Sequence, residues 1–173
     1  RGAWAILLSQ SGETADTISA ARTTRSAGYF TLALTNNVDS SITRAIHQTL
    51  YTQAGPEMSV AATKTFLAQL TGLYLLGLHL FPPPVNVLHH LLTELRLLPG
   101  KVQRVLGAEG SLQTLARSIA FADNIFLIAK GINYPVAMEG ALKLKEVAYI
   151  HAEGYPSGEL KHGTFALLGP DTP

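Results

Sequence analysis

Residues 9–17 read Ser-Gln-Ser-Gly-Glu-Thr-Ala-Asp-Thr and follow directly on the apolar run Trp4–Leu8. The stretch carries hydroxyls at Ser9, Ser11 and Thr14. A helix opening here would add unpaired backbone N–H groups and the positive end of its dipole. Together these make a cradle for a phosphate that needs no basic side chain. An ordinary N-capped turn uses the same residue types, so both readings stand on these residues alone.

Two further groups could do chemistry. In the run from Glu139 to Glu146, the residues Glu139, Lys143 and Glu146 follow i, i+4, i+7 spacing and share one helix face. A carboxylate beside a lysine can move a proton. The same pattern also makes a plain surface ion pair, worth about 0.2–0.5 kcal/mol. Farther on come His151, Glu153, Glu159, Lys161 and His162. The run Glu159–Gly163 is polar and ends in glycine, which reads as a loop or helix end, where function concentrates. An imidazole such as that of His162 is the usual general acid or base near neutral pH; it is equally a common surface group. His89 and His90 are adjacent and point to different faces of a helix, so they make a poor pair of metal ligands. His47 and His79 have no evident sequence partners.

The elements that position these groups alternate. Trp4–Leu8 and Phe30–Thr35 read as strands, with Thr14–Ala27 a helix between them and Gly28 its stop. Ser40–Ile46 reads as a short helix, Thr49–Thr52 as a third strand, and Val60–Leu80 as a long helix, apolar on most faces and therefore buried. Helices are expected at Val87–Leu98 and Lys101–Leu106, broken at Pro99-Gly100, with Gly107–Gly110 the best linker. Leu112–Phe121 reads as a helix, Asn124–Ala129 as a strand, and Pro135–Tyr149 as a helix with proline at a favourable first position. Ala152–Leu168 is polar first and apolar later. This order predicts βαβ units with a parallel sheet covered on both faces.

Composition narrows the class. Of 173 residues, 47% are hydrophobic and 14% charged, and the net charge is +1. That balance gives no basic field for nucleic acid or an anionic membrane. The absence of cysteine rules out a disulfide framework, a thiolate nucleophile and a zinc ribbon, and fits a cytoplasmic setting. The longest apolar stretch, Leu70–Phe81, is too short to span a bilayer, and Pro82–Pro84 would end any helix there. No Met precedes Arg1, and the chain stops soon after an apolar run. It reads as a piece of a longer chain, cut inside a domain at one or both ends.

The motifs occur in a telling order: Ser9–Thr17, then Ser59-Val60-Ala61-Ala62-Thr63-Lys64, then Glu139–Glu146, Tyr149–Glu153 and Gly158–Gly163. Together they resemble the sugar isomerase (SIS) family, in particular the isomerase half of the glucosamine-6-phosphate synthases, the isomerizing glutamine–fructose-6-phosphate aminotransferases. The resemblance implies an α/β fold of three-layer α/β/α sandwiches with parallel sheets. It implies parts of two tandem domains, 1–108 and 109–173. It implies fructose 6-phosphate as substrate, glucosamine 6-phosphate as product, ammonia from a glutaminase domain, a homodimer, and no metal or organic cofactor. By the same resemblance Ser9, Gln10, Ser11 and Thr14 form the sugar-phosphate loop and Val60 contacts the sugar. Glu146 carries the proton between C1 and C2, Lys143 assists it, and His162 opens the sugar ring from the neighbouring subunit.

Some residues depart from the family's pattern. Ala62 stands where a sugar-contacting serine is common, Lys130 where many relatives have arginine, and Thr164 where many have proline. The lysine that forms the Schiff base in this family would lie beyond Pro173. A chain with this much of the site should have little activity by itself. Two alternatives stay open: a glucosamine-6-phosphate deaminase of the same fold, and a non-catalytic sugar-phosphate-sensing module.

Overall fold

In the computed structural model, residues 2–169 and 172–173 are described. Arg1, Pro170 and Asp171, on which the reading of the chain's ends partly rests, lie outside the described residues. The chain divides into two compact units, residues 1–97 and 98–173.

In the first unit, β1 (Trp4–Leu8), β2 (Phe30–Thr35) and β3 (Gln48–Tyr51) pair in parallel in that order. Parallel neighbours need a crossover. These are supplied by α1 (Ala15–Ser26) and α2 (Ser41–Ala45). One face of the sheet carries the core, where Leu7 and Ala33 meet Ala21 of α1 and Ile42 of α2, with Ile46 beside them. The other face presents Leu32 and Leu34, both buried. There α3 (Lys64–Leu80) crosses so closely that a Cβ added at Gly72 would lie 3.1 Å from Leu34 Cδ1. The first unit thus has the expected three layers. It ends with α4 (Val85–Arg96).

The long helix differs from its sequence reading. It starts at Lys64 rather than Val60, and residues 60–63 belong to a turn. Nor is it buried on most faces: Thr65 is its buried residue, whereas Leu67, Tyr74 and Leu75 are exposed. Within the described residues the sheet covers only one stripe of it. The break between the next two helices also moves. α5 (Leu98–Leu106) contains Pro99 and Gly100 in its first turn, where proline costs no intrahelical hydrogen bond. The proposed linker is a short turn, since α6 (Glu109–Ile119) begins within it.

In the second unit, β4 (Asn124–Ala129) pairs in parallel with β5 (His151–Pro156), and α7 (Tyr134–Lys143) is the crossover. β5 was hidden in the sequence because His-Ala-Glu-Gly-Tyr-Pro lacks β-branched residues and contains both glycine and proline. Small residues let α7 lie flat on this pair. Ala137 and Ala141 are buried, and Ala141 joins Ile125 and Ala152 in the core. At Gly154 the approach is closest, because an added Cβ would sit 2.8 Å from Met138 N and Cα.

That contact is backbone, which cannot swing aside. Gly154→Ala should therefore destabilise the protein by about 1–3 kcal/mol, the usual cost of overpacking. Chemical denaturation would measure it, and an unchanged midpoint would show that α7 can lift off β5 at no cost.

Candidate active site

The Ser9–Thr14 loop leaves the C-terminal end of β1 and is anchored on all sides. Gln10 O accepts the Asn36 N–H at 3.0 Å and the Thr35 hydroxyl at 3.2 Å, and Gly12 O accepts the Ile42 N–H at 2.9 Å. Inside the loop, Ser9 Oγ accepts the Gly12 N–H at 3.0 Å and lies 3.4 Å from Thr14 Oγ1. Ser11 Oγ accepts the Glu13 N–H at 3.1 Å. Gly12 has φ +70°, and a Cβ there would clash with Ser40, so both its conformation and its space require glycine.

Thr14 stands at the N-cap of α1 yet makes no side-chain capping bond. A simple capped turn would have used that hydroxyl. Instead Ser9 and Thr14 bring their hydroxyls together beside an uncapped twelve-residue helix. The acid in the motif, Glu13, would repel a phosphate if it faced inward. Its Oε1 accepts the Ser41 N–H at 2.8 Å. Hydrogen bonding to Ser41, aided by the charge of Arg44, holds its carboxyl below the usual range. Glu13 latches the loop to α2, a role its sequence motif did not suggest.

Val60 lies in the same unit, fully exposed, on the turn before α3. A residue the sequence reading passed over holds that turn. Glu57 Oε2 accepts the Thr65 hydroxyl at 2.6 Å and the N–H groups of Thr63 and Thr65 at 3.1 and 3.2 Å. Its Oε1 accepts the Thr63 hydroxyl at 3.1 Å and pairs with Lys64 Nζ at 3.5 Å. The hydrogen bond from Thr65 and those from Thr63 hold the Glu57 carboxyl down to about 2. A carboxylate six and eight residues ahead of two threonines at a helix start was the available signal, because the helix dipole favours negative charge there.

In the second unit Lys143 is shared. Its Nζ donates to Glu146 Oε2 at 2.7 Å and lies 3.2 Å from Glu139 Oε1. Burial opposes the charged form of Lys143, but hydrogen bonds to Glu146 and Glu139 outweigh it and raise its pKa above the ordinary lysine value. The helix expected to run to Tyr149 changes at this point. Leu144–Ala148 form a single π-helical turn, closed by Tyr149 in the left-handed region at φ 57°. Such turns recur at functional sites, and a bulky side chain at positive φ is uncommon. Glu146 sits in that turn, at the negative end of the helix dipole, so the lysine beside it offsets an otherwise unfavourable placement.

His162 is exposed, in the turn after β5. Glu146 comes just before β5 begins. The six residues of β5 lie between them, about 20 Å at roughly 3.3 Å per residue. The side chain that Glu146 meets in this structure is Lys143 rather than His162. A cavity of about 500 Å³ on another face of α7 is lined by Tyr134, Met138, Lys145, Glu153 and Glu159 among others. It is set apart from the Lys143 face.

One other histidine has a structural partner within the first unit. His47, which lacked a partner in sequence, accepts the Thr31 N–H on Nδ1 at 3.1 Å and stacks on Phe30. Among the described residues no group of three or more His, Asp or Glu side chains could hold a metal ion, and no helix is long and apolar enough to cross a membrane.

A family model described as SIS domain matches residues 1–78 and 118–173. The chain belongs to the SIS-domain family. As SIS-domain relatives, two curated proteins named glutamine–fructose-6-phosphate aminotransferase [isomerizing] stand out. The one from Methanosarcina acetivorans is 48% identical over 99% of this chain, and the one from Corynebacterium efficiens 47% over 97%. The chain spans 28% of the length of each. The C-terminal domain of glucosamine-fructose-6-phosphate aminotransferase from Francisella tularensis superposes with a TM-score of 0.95 at 35% identity, over 98% of this chain and 49% of that one. Glucosamine-6-phosphate deaminase from Thermotoga maritima shares the SIS fold, with a TM-score of 0.73 at 19% identity over 99% of this chain and 51% of that one.

The Glu57 pKa fixes the sign of an acid effect. A carboxyl at about 2 when folded, against an ordinary 4.5, contributes stability that is complete above 4.5 and is lost as pH falls towards 2. Denaturant titrations across that window should give a shallower slope of stability against pH for Glu57→Gln than for wild type. Equal slopes would mean that the Glu57 hydrogen bonds do not form in solution.

Proposed function

We propose that this chain is the sugar-isomerising part of an isomerizing glutamine–fructose-6-phosphate aminotransferase, acting on fructose 6-phosphate in hexosamine synthesis. The observation that carries the proposal is the 2.7 Å contact between Lys143 and Glu146 in the π-helical turn. It supports a proton-transfer role, because removing a proton beside a carbonyl needs a positioned base and a cation near the developing charge. A sensor would need the phosphate loop alone. The identity to aminotransferases along nearly the whole chain favours that reaction over the deaminase, whose likeness here is one of fold.

Ser9, Gln10, Ser11 and Thr14, with the start of α1, would bind the phosphate, and Val60 would meet the sugar. Glu146 would take a proton from C1 and return it at C2, while the Lys143 ammonium steadies the charge that develops on the substrate. His162 would assist ring opening. The separation of His162 from Glu146 along β5 supports a homodimer in which His162 serves the neighbouring copy's site. Ammonia would come from a glutaminase domain elsewhere in the full-length protein, and neither metal nor organic cofactor is required. We read the two units as parts of tandem SIS domains, meeting between residues 97 and 108, in a cytoplasmic enzyme.

The test is to supply the full-length protein with fructose 6-phosphate and glutamine and to follow glucosamine 6-phosphate. Glutamine-dependent product is expected. Net breakdown of glucosamine 6-phosphate to free ammonia would instead establish the deaminase, and binding without turnover the sensor. Glu146→Gln should lower turnover by about 10²–10⁴-fold while sugar-phosphate binding, read by calorimetry, persists. Unchanged turnover would remove Glu146 from the reaction.

A further inference from the structure

The α3 N-terminus would ordinarily be a second anion site in this unit, since helix starts attract phosphates and carboxylates. It is already filled from within. Glu57 takes two of its backbone N–H groups and both threonine hydroxyls, and Lys64 closes over it. The Glu57 side chain is only 6% exposed. Between Glu57 and Ala61, which is 2% exposed, the chain makes a short excursion whose tip, Met58 to Val60, stands in open space. Ser59 Oγ accepts the Ala61 N–H at 3.2 Å and closes the base of this excursion.

We propose that Glu57 is a positioning residue for the sugar: it clamps both ends of the Met58–Thr63 turn to the start of α3 and so sets where Val60 stands. The claim rests on the reading above that Val60 meets the sugar. Its physical logic is preorganisation. An exposed turn without anchors would lose backbone freedom when it meets a ligand, and that loss weakens binding. With Glu57 in place that ordering has happened on folding. The same clamp closes the α3 N-terminus to the substrate's phosphate, which leaves the Ser9–Thr14 loop as the anion site of this unit.

Two measurements on the full-length protein test the claim. In the first, hydrogen exchange is compared across residues 58–63 without ligand. Faster exchange in Glu57→Ala than in wild type is expected, with Glu57→Gln between them because it keeps one acceptor oxygen. Equal exchange in all three overturns the clamp whatever the substrate is. In the second, steady-state kinetics with fructose 6-phosphate should show KM raised about tenfold in Glu57→Ala with kcat little changed, the pattern of lost binding rather than lost chemistry. A lowered melting temperature with unchanged KM would reduce Glu57 to a helix cap and overturn the proposal. If wild type shows no saturable use of fructose 6-phosphate, the substrate reading fails, and the exchange result still decides the clamp. Should Glu57→Ala not fold, Glu57→Gln carries both measurements.

Discussion

Parallel pairing of the strands is the constraint from which the rest of this chain follows. A parallel neighbour cannot be reached by a tight turn, so the chain crosses back over the sheet between strands. Loops after β1, β2 and β3 consequently gather at one edge of the sheet, outside the carboxyl ends of the strands, where α/β proteins bind ligands. The Ser9–Thr14 loop, the Asn36–Ser40 turn and the run from Thr52 to Thr63 are neighbours for this reason. Their mutual hydrogen bonds are consequences of it: Asn36 to Gln10, Ile42 to Gly12, Ser41 to Glu13. A hydroxyl loop held at so many points can meet an anion without first becoming ordered.

The same constraint separates functions in the second unit. The crossover helix α7 runs back from the end of β4 to the start of β5, so its last turn lies at the opposite end of β5 from His162. Lys143 and Glu146 are therefore displayed away from the turn that holds the histidine. Acid residues in this chain also divide their labour. Glu13 and Glu57 are consumed by backbone N–H groups at helix starts, where the dipole favours them. Glu139 and Glu146 stand near a helix end, where it does not, and are balanced by Lys143. Side chains of the same chemistry thus serve as latches in one unit and as candidates for proton transfer in the other.

Much of this was legible from the order of residues. The runs Trp4–Leu8, Phe30–Thr35 and Asn124–Ala129 are apolar and bounded by turn residues, so the strands could be placed from pattern. The hydroxyl motif followed a strand and opened a helix, and the i, i+4, i+7 spacing of Glu139, Lys143 and Glu146 put them on one face. Local periodicity fixes such features because neighbours along a helix or strand are neighbours in space. The sequence also determined the family, because several motifs in a set order are far more specific than any one of them.

Tertiary structure decided what depends on partners distant in the chain. β5 is a strand because β4 and α7 offer it a place, and Gly154 is suited to that place although it weakens strand propensity. Residues 60–63 read as helical by composition, yet Glu57 captures the N–H groups of Thr63 and Thr65 and the helix starts at Lys64. The apolar stripe of α3 looked buried on most faces, but burial depends on what lies against a face, which periodicity does not specify. The role of Glu13 could not be read from its motif, since its partner Ser41 is 28 residues away. Sequence pattern determined which residues were available for chemistry. The fold decided which of them are spent holding the site and which are left to act, because that division rests on distances between residues far apart in the chain.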